Sequence, residues 1–380
     1  MITTTTTRSR KAAATTGTET IILDKTSPPV YPDIQTIRDA IPAHCFQPST
    51  ARSLGYVVRD VTMAVALGYA AFTYIPTLEE LDPPHPRLDR LRLPPGPGLH
   101  GHLDPGPRVR PWRVQRASWK FSHHRHHRFT GHMEKDMAFV PHTKADRSKR
   151  RFADLYLDRE LFEDVPVVQL VKLVLHQLAG WQMYLAFNVS SGVDSKQKAA
   201  SWWRQSHFEP TSAVFRPSEA VFIALADLGL AIVGGLVYMA AQVVGWKMVF
   251  VMYIVPYMWV HHWLVAITYL HHTHPEVHHF EADSWTFVKG ALATVDRDFG
   301  FVGRHLFHGI IDTHVVHHLF PRIPFYKAEE ATEALKPLLG DLYHREESSF
   351  VGSLWRTWTK CKYVEADPAV PGALIWAPSK

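Results

Sequence analysis

Two histidine triplets of identical spacing dominate the chemistry open to this sequence. His123, His126 and His127 form an HxxHH pattern within "SHHRHHRF", and His314, His317 and His318 repeat it within "THVVHHLF". Positions i, i+3 and i+4 share one face of a helix, so each triplet aims three imidazoles at one point. Imidazole suits iron, copper, zinc and nickel, and two triplets exceed what one tetrahedral zinc ion can use. Six such nitrogens on one side of a membrane point to a two-metal centre. A single HH pair would read as a solvated surface group or a purification tag, but two separated HxxHH copies beside apolar hairpins do not.

The chain holds 25 histidines in 380 residues, with six between positions 123 and 142 and twelve between 261 and 318. The stretches "YLHHTHPEVHH" and "HLFHGIIDTH" offer further donors, of which His272, His274 and His308 are favoured. His272 and His308 complete the expected ligand set. His261 and His262 lie deeper in an apolar run and suit polar contacts inside a helix bundle. Carboxylates near the boxes, Asp312, Asp136 and Glu134, are candidates to orient ligand imidazoles, the alternative being ordinary exposure at the surface. No side chain is expected to be catalytic beyond this metal centre.

Apolar segments must carry these boxes. Residues 228–244 have no charge, and 248–270 carry only His261 and His262 as strongly polar groups. Each approaches the ~20 residues that a bilayer core requires, so together they predict a membrane hairpin. Residues 61–76 make a shorter third candidate that ends at Pro76. Residues 167–189 put Gln169, Lys172 and His176 on one face, which suits an interfacial helix. With that assignment the two boxes are separated by two spans and lie on the same side.

The net charge is +5, without a basic array of the kind that reads nucleic acid, so no nucleic-acid partner is expected and a membrane surface is. Only Cys45 and Cys361 are present, without metal-site spacing, so no thiolate site or disulfide framework is expected. The Thr-rich start lacks an apolar core and reads as a polar tail over 1–30 rather than a cleaved signal.

The motifs "SWKFSHHRHHRFTGHMEKDMAFVP", "ITYLHHTHPEVHHF", "WTFVKGALATVDRDFG" and "HGIIDTHVVHHLFPRIPFYKAEEAT" resemble the membrane-bound acyl-lipid fatty acid desaturases, in particular the fungal-type Δ12/omega-3 class. The segment "TIRDAIPAHCFQPSTARSLGYVVRD" resembles the N-terminal part of the same class. The likeness covers 31–345, leaving 346–380 as a C-terminal tail. It implies an all-α fold, an integral membrane helical bundle with a cytosolic histidine-lined di-iron domain, sited in the endoplasmic reticulum membrane. It further implies two non-haem irons, O2 as co-substrate, membrane lipid acyl chains as substrate, and electrons from a separate cytochrome b5 and its reductase, because no fused HPGG segment is present. "HVVHHLFPRIPFY" leans the reading toward omega-3 (Δ15) action, with Δ12 action beside it. Hydroxylases and acetylenases use the same boxes, and a non-catalytic histidine-rich membrane metal-binding protein is the alternative from another class.

One expected part is missing. The family's first box reads HECGH near the end of its second membrane helix, and here only His100-Gly101-His102 stands nearby. Residues 83–111 contain nine prolines and five arginines, a composition hostile to a membrane helix. Codons compatible with Gly98 to Arg116, read one base later, encode D-S-T-G-T-W-I-L-A-H-E-C-G-H-G-A-F-S. The tract 81–116 is therefore expected to be out of frame, and the chain as written to be inactive or poorly folded.

Overall fold

A computed structural model describes residues 29–78, 117–149, 165–197 and 201–377. The tract 81–116, with His100 and His102, lies wholly outside these residues, as does the polar start to residue 28.

The fold is predominantly helical. The uncharged stretch becomes the helix Ala220–Val244, and Gly245, at φ 86°, breaks it before a second long helical run, Trp246–His271. Both are long and apolar enough to cross a membrane, with mean hydropathies of 2.3 and 1.4. The second passes through one π-helical turn at Phe250–Ile254 just before Pro256, which has no N–H to donate into the preceding turn. The helix Thr50–Leu78 contains the 61–76 segment but continues two residues beyond Pro76, so the proline does not end it.

Residues Pro166–Phe187 also form one helix, but it is not isolated on a surface. It runs antiparallel along Trp246–His271: Leu173 packs with Tyr269 and Leu270, Gly180 sits against Val265, and Gln182 bonds His261. An added Cβ at Gly180 would lie 3.3 Å from Val265, so glycine permits the close approach. His261 thus has the interior polar contact expected of it. Asn188, the αL cap of this helix, is fully buried and donates to Ser195, so the formal Asn188-Val189-Ser190 glycosylation triplet is inaccessible.

The all-α expectation needs one correction. Among the described residues five short strands occur: β1 (His279–Phe280), β2 (Val295–Arg297), β3 (His344–Glu346), β4 (Val364–Ala366) and β5 (Ala373–Trp376). They form an antiparallel β1-β5-β4 sheet and a parallel β2-β3 pair. β1, β2 and most of β5 are buried extended connections, where unpaired backbone N–H and C=O groups would be costly, and β3 and β4 are their more exposed partners. The pairing satisfies them.

The box helix His314–Leu319 explains itself locally. Helical periodicity sends His314, His317 and His318 to one face and Val315, Val316 and Leu319 to the other. The apolar trio enters a core with Ile37 of the helix Ile34–Ala40, its C-cap Ile41, and Leu335 and Leu339 of the helix Ala328–Leu339. Burying each such side chain is worth about 1.5–3 kcal/mol, which presses the histidine face toward its partners.

Candidate metal centre

The first box lies on the helix Ala117–Phe129, which a turn through Thr130 and the left-handed Gly131 terminates. That turn packs against the helix Phe287–Leu292 so closely that a Cβ on Gly290 would lie 2.1 Å from the Thr130 carbonyl. Phe287–Leu292 also shares a core with Val315, Val316 and Leu319 of the second box helix, so it packs against both box helices.

Their imidazoles converge in two groups, His123, His127 and His317 in one, and His126, His272 and His318 in the other. His123 and His127 bring their Nε2 atoms to 3.0 Å, and His126 and His272 to 3.1 Å. His314 joins the second group, its Nε2 3.1 Å from His318 and 3.4 Å from His272. With metal–nitrogen bonds of about 2.1 Å, neighbouring ligand atoms sit about 3.0 Å apart in octahedral and about 3.4 Å apart in tetrahedral coordination. The observed separations fall in that interval.

The ring tautomers sharpen this fit. His126 Nδ1 donates to Asp136 Oδ1 at 2.7 Å, and His314 Nδ1 donates to the Ile310 carbonyl at 3.2 Å. Thr130 gives its hydroxyl proton to the His126 carbonyl, leaving Oγ1 to accept from His318 Nδ1 at 3.0 Å. Protons on all three Nδ1 atoms leave three bare Nε2 lone pairs turned toward one buried point. Lone pairs so placed repel one another unless a cation lies between them. Burial and the neighbouring imidazoles hold His123, His127, His272, His314 and His318 well below the usual histidine range, and His317 at about 3. These six rings are neutral at physiological pH, the form a metal requires.

The structure thus brings together seven of the eight expected ligand histidines. His308 is elsewhere: its Nε2 lies 2.9 Å from Asp60 and its Nδ1 accepts from Arg59. Two consecutive left-handed residues, His308 (φ 54°) and Gly309 (φ 68°), turn that side chain away from the box six residues later. His274 faces Glu346 instead, at 3.4 Å.

Of the three acids, Asp136 alone reaches a box histidine. It is buried, and it also accepts from the backbone N–H groups of Ala138 at 2.9 Å, Phe139 at 3.3 Å and Gly131 at 3.3 Å. The Glu134 side chain is exposed. Asp312 lies 3.9 Å from Arg304, and burial together with Asp298 pushes its carboxyl up to about 6. Thr130 carries an orienting role that the sequence does not advertise, since a threonine at a helix end has many uses.

A cavity of about 1590 Å³ opens onto these imidazoles. It exceeds the ~300–1,000 Å³ of ordinary small-molecule pockets. Asp60, Ala64, Leu67 and Ala71 line it along one face of Thr50–Leu78, so it extends about 16 Å at the helical rise. Its walls are mostly apolar, and Trp119, stacked on His123 at 4.2 Å, stands where it meets the boxes.

Fold and site together define a helical, membrane-type protein in which a long apolar cavity ends on two converging sets of imidazoles. Comparison with known proteins gives that class its family. Residues 109–349 match the fatty acid desaturase family, and residues 2–71 match a domain of unknown function (DUF3474). The chain is 37% identical to an oleate hydroxylase of Claviceps purpurea, over 91% of this chain and 80% of that protein. It is 38% identical to a Δ12 fatty acid desaturase of Mortierella alpina, over 87% and 88% of the two chains. It is 37% identical to an endoplasmic reticulum omega-6 fatty acid desaturase of Brassica juncea, over 87% of each. The chain belongs to the fatty acid desaturase family and is an oxidoreductase of the Δ12 class.

Proposed function

We propose that this protein is built for the oxygen-dependent insertion of a cis double bond into an oleoyl or linoleoyl chain linked to a membrane lipid, at Δ12 or at the omega-3 (Δ15) position. The observation that carries the reading is the long apolar cavity ending on seven convergent imidazoles. Overall, the acyl chain, O2, two electrons and two protons yield the alkene and two waters. The named Δ12 and omega-6 relatives support Δ12 action, and "HVVHHLFPRIPFY" is the ground for omega-3 action. The oleate hydroxylase relative favours a second reading, hydroxylation of the same chain at the same site.

His126, His272, His314 and His318 would hold one iron, and His123, His127 and His317 a second. Bound iron, with dioxygen, supplies the oxidant that an unactivated methylene demands and that side-chain acids and bases cannot provide. The protein's own contribution is positional. Asp136, Thr130 and the Ile310 carbonyl lock three imidazoles by their Nδ1 protons. The apolar walls hold the chain and keep water away, and Trp119 shapes the cavity beside His123. Electrons would come from a separate cytochrome b5 and its reductase, with the boxes on the cytosolic side of the endoplasmic reticulum membrane and the chain crossing it more than once.

The out-of-frame reading of 81–116 belongs to this proposal. The two family matches flank residues 72–108, the stretch that overlaps the Pro/Arg tract. Expression in yeast of the chain as written and of a version restored to the HECGH frame, with fatty acids measured by gas chromatography, tests both parts. The restored chain should make a dienoic or trienoic product and the written chain none. A product from the written chain would overturn the frame reading, and none from the restored chain would overturn the desaturase reading.

A further inference from the structure

Adjacent residues of a strand point to opposite faces, and in β2 that alternation joins two separate histidine-bearing elements. Asp296 faces the second box: its Oδ1 accepts the Val315 backbone N–H at 2.8 Å, one of the donors a helix start leaves unpaired. Arg297 faces the other way. Its Nε donates to the Leu270 carbonyl at 3.0 Å and an Nη donates to the Thr273 carbonyl at 3.2 Å. Those carbonyls flank His272, so one guanidinium spans the residue that brings its Nε2 to 3.1 Å from His126 and 3.4 Å from His314.

The strand's partner supports both residues. Next to and within β3, Tyr343 donates its hydroxyl to Asp296 Oδ2 at 2.7 Å, and Glu346 approaches Arg297 at 3.4 Å. The backbone N–H of Arg297 donates to the Ile311 carbonyl at 3.0 Å, and the His271 ring nitrogen lies 3.0 Å from the same oxygen. Asp296 and Arg297 are both fully buried. Burying a guanidinium costs several kcal/mol, so a role in packing alone would be served better by an apolar side chain. What the guanidinium adds is a rigid fork that reaches two carbonyls of a helix end at once.

We propose that Asp296 and Arg297 are positioning residues: together they set His272 against the His314–His318 box and so determine whether the four-imidazole group holds its metal. The inference rests on the metal-centre reading above. Metal sites tolerate errors of only about 0.5 Å in ligand placement, and His272 lies more than forty residues from the box; besides the His271 contacts with the Ile311 carbonyl and the His314 ring, the Asp296–Arg297 pair ties the two elements together.

The test uses the full chain restored to the HECGH frame, purified in detergent micelles, loaded anaerobically with Co2+ and counted by elemental mass spectrometry. The unaltered protein should carry two ions. Arg297→Gln should carry one, as should His272→Ala, and the double variant should still carry one, because both changes disable the same group. Circular dichroism and the melting of the metal-free protein check that Arg297→Gln folds. Should it not, Arg297→Lys decides, since it keeps the charge but loses the fork: it should weaken one ion at least tenfold and leave the other unchanged. Unaltered binding of both ions in these variants, or equal weakening of both, would overturn the clamp. No ions on the unaltered protein would instead overturn the metal-centre reading beneath it.

Discussion

Asp136→Asn is the most informative single change at the site, because it alters charge while nearly preserving shape. The carboxylate receives the His126 Nδ1 proton at 2.7 Å and also holds the Ala138, Phe139 and Gly131 N–H groups. The amide oxygen of asparagine can still accept from His126 and Ala138, but its NH2 group meets the Gly131 N–H, donor against donor. A hydrogen bond to a charged acceptor is worth about 1.5–3 kcal/mol, and a neutral one roughly half as much. The loss of about 1–1.5 kcal/mol corresponds to about tenfold in affinity, the low end of the 10–100-fold effects seen when partners of ligand histidines are changed. Only the group containing His126 should feel it. Co2+ titration of the purified chain restored to the HECGH frame, followed by optical absorption against a competing chelator, would resolve two binding phases, of which one should weaken about tenfold and the other stay fixed. Two unchanged phases would refute the claim that Asp136 tunes a metal ligand, and equal weakening of both would refute the assignment of separate groups.

Other outcomes follow from the same geometry. Gly290→Ala forces a Cβ to within 2.1 Å of the Thr130 carbonyl, so it should lower the melting temperature and weaken the His318-containing group, measured by thermal unfolding and metal titration. Its cost should fall in the about 1–3 kcal/mol range of overpacked sites. His308→Ala should leave the metal count unchanged but loosen Thr50–Leu78, detected as faster proteolysis, because that imidazole ties Asp60 to the loop before the second box. Glu134→Gln, at an exposed side chain, should change neither metal affinity nor stability beyond ~0.5 kcal/mol in the same assays.

The sequence made the boxes legible because their spacing is a helical period, and a period needs no tertiary information. The same holds for the apolar hairpin, whose length and lack of charge are local properties. His308 misled because it stands six residues before His314, while backbone sign, unreadable from composition, decides where it points. Asp136 and Glu134 are two residues apart, and only the fold after Gly131 buries one and exposes the other. Arg297 and Thr130 act through contacts 24 to 188 residues distant in sequence, which periodicity cannot reach. The short strands were hidden for a related reason, since pairs of two to four residues carry too little alternation to register.

The central claim is that two separate groups of histidines each hold an iron ion. Anaerobic loading of the purified chain, restored to the HECGH frame, with Fe2+, removal of loose metal by gel filtration, and iron counting against protein concentration test it most directly. Two irons per chain, falling to one in His126→Ala and to one in His127→Ala, is the predicted result. No retained iron, or a count that neither substitution changes, would contradict it.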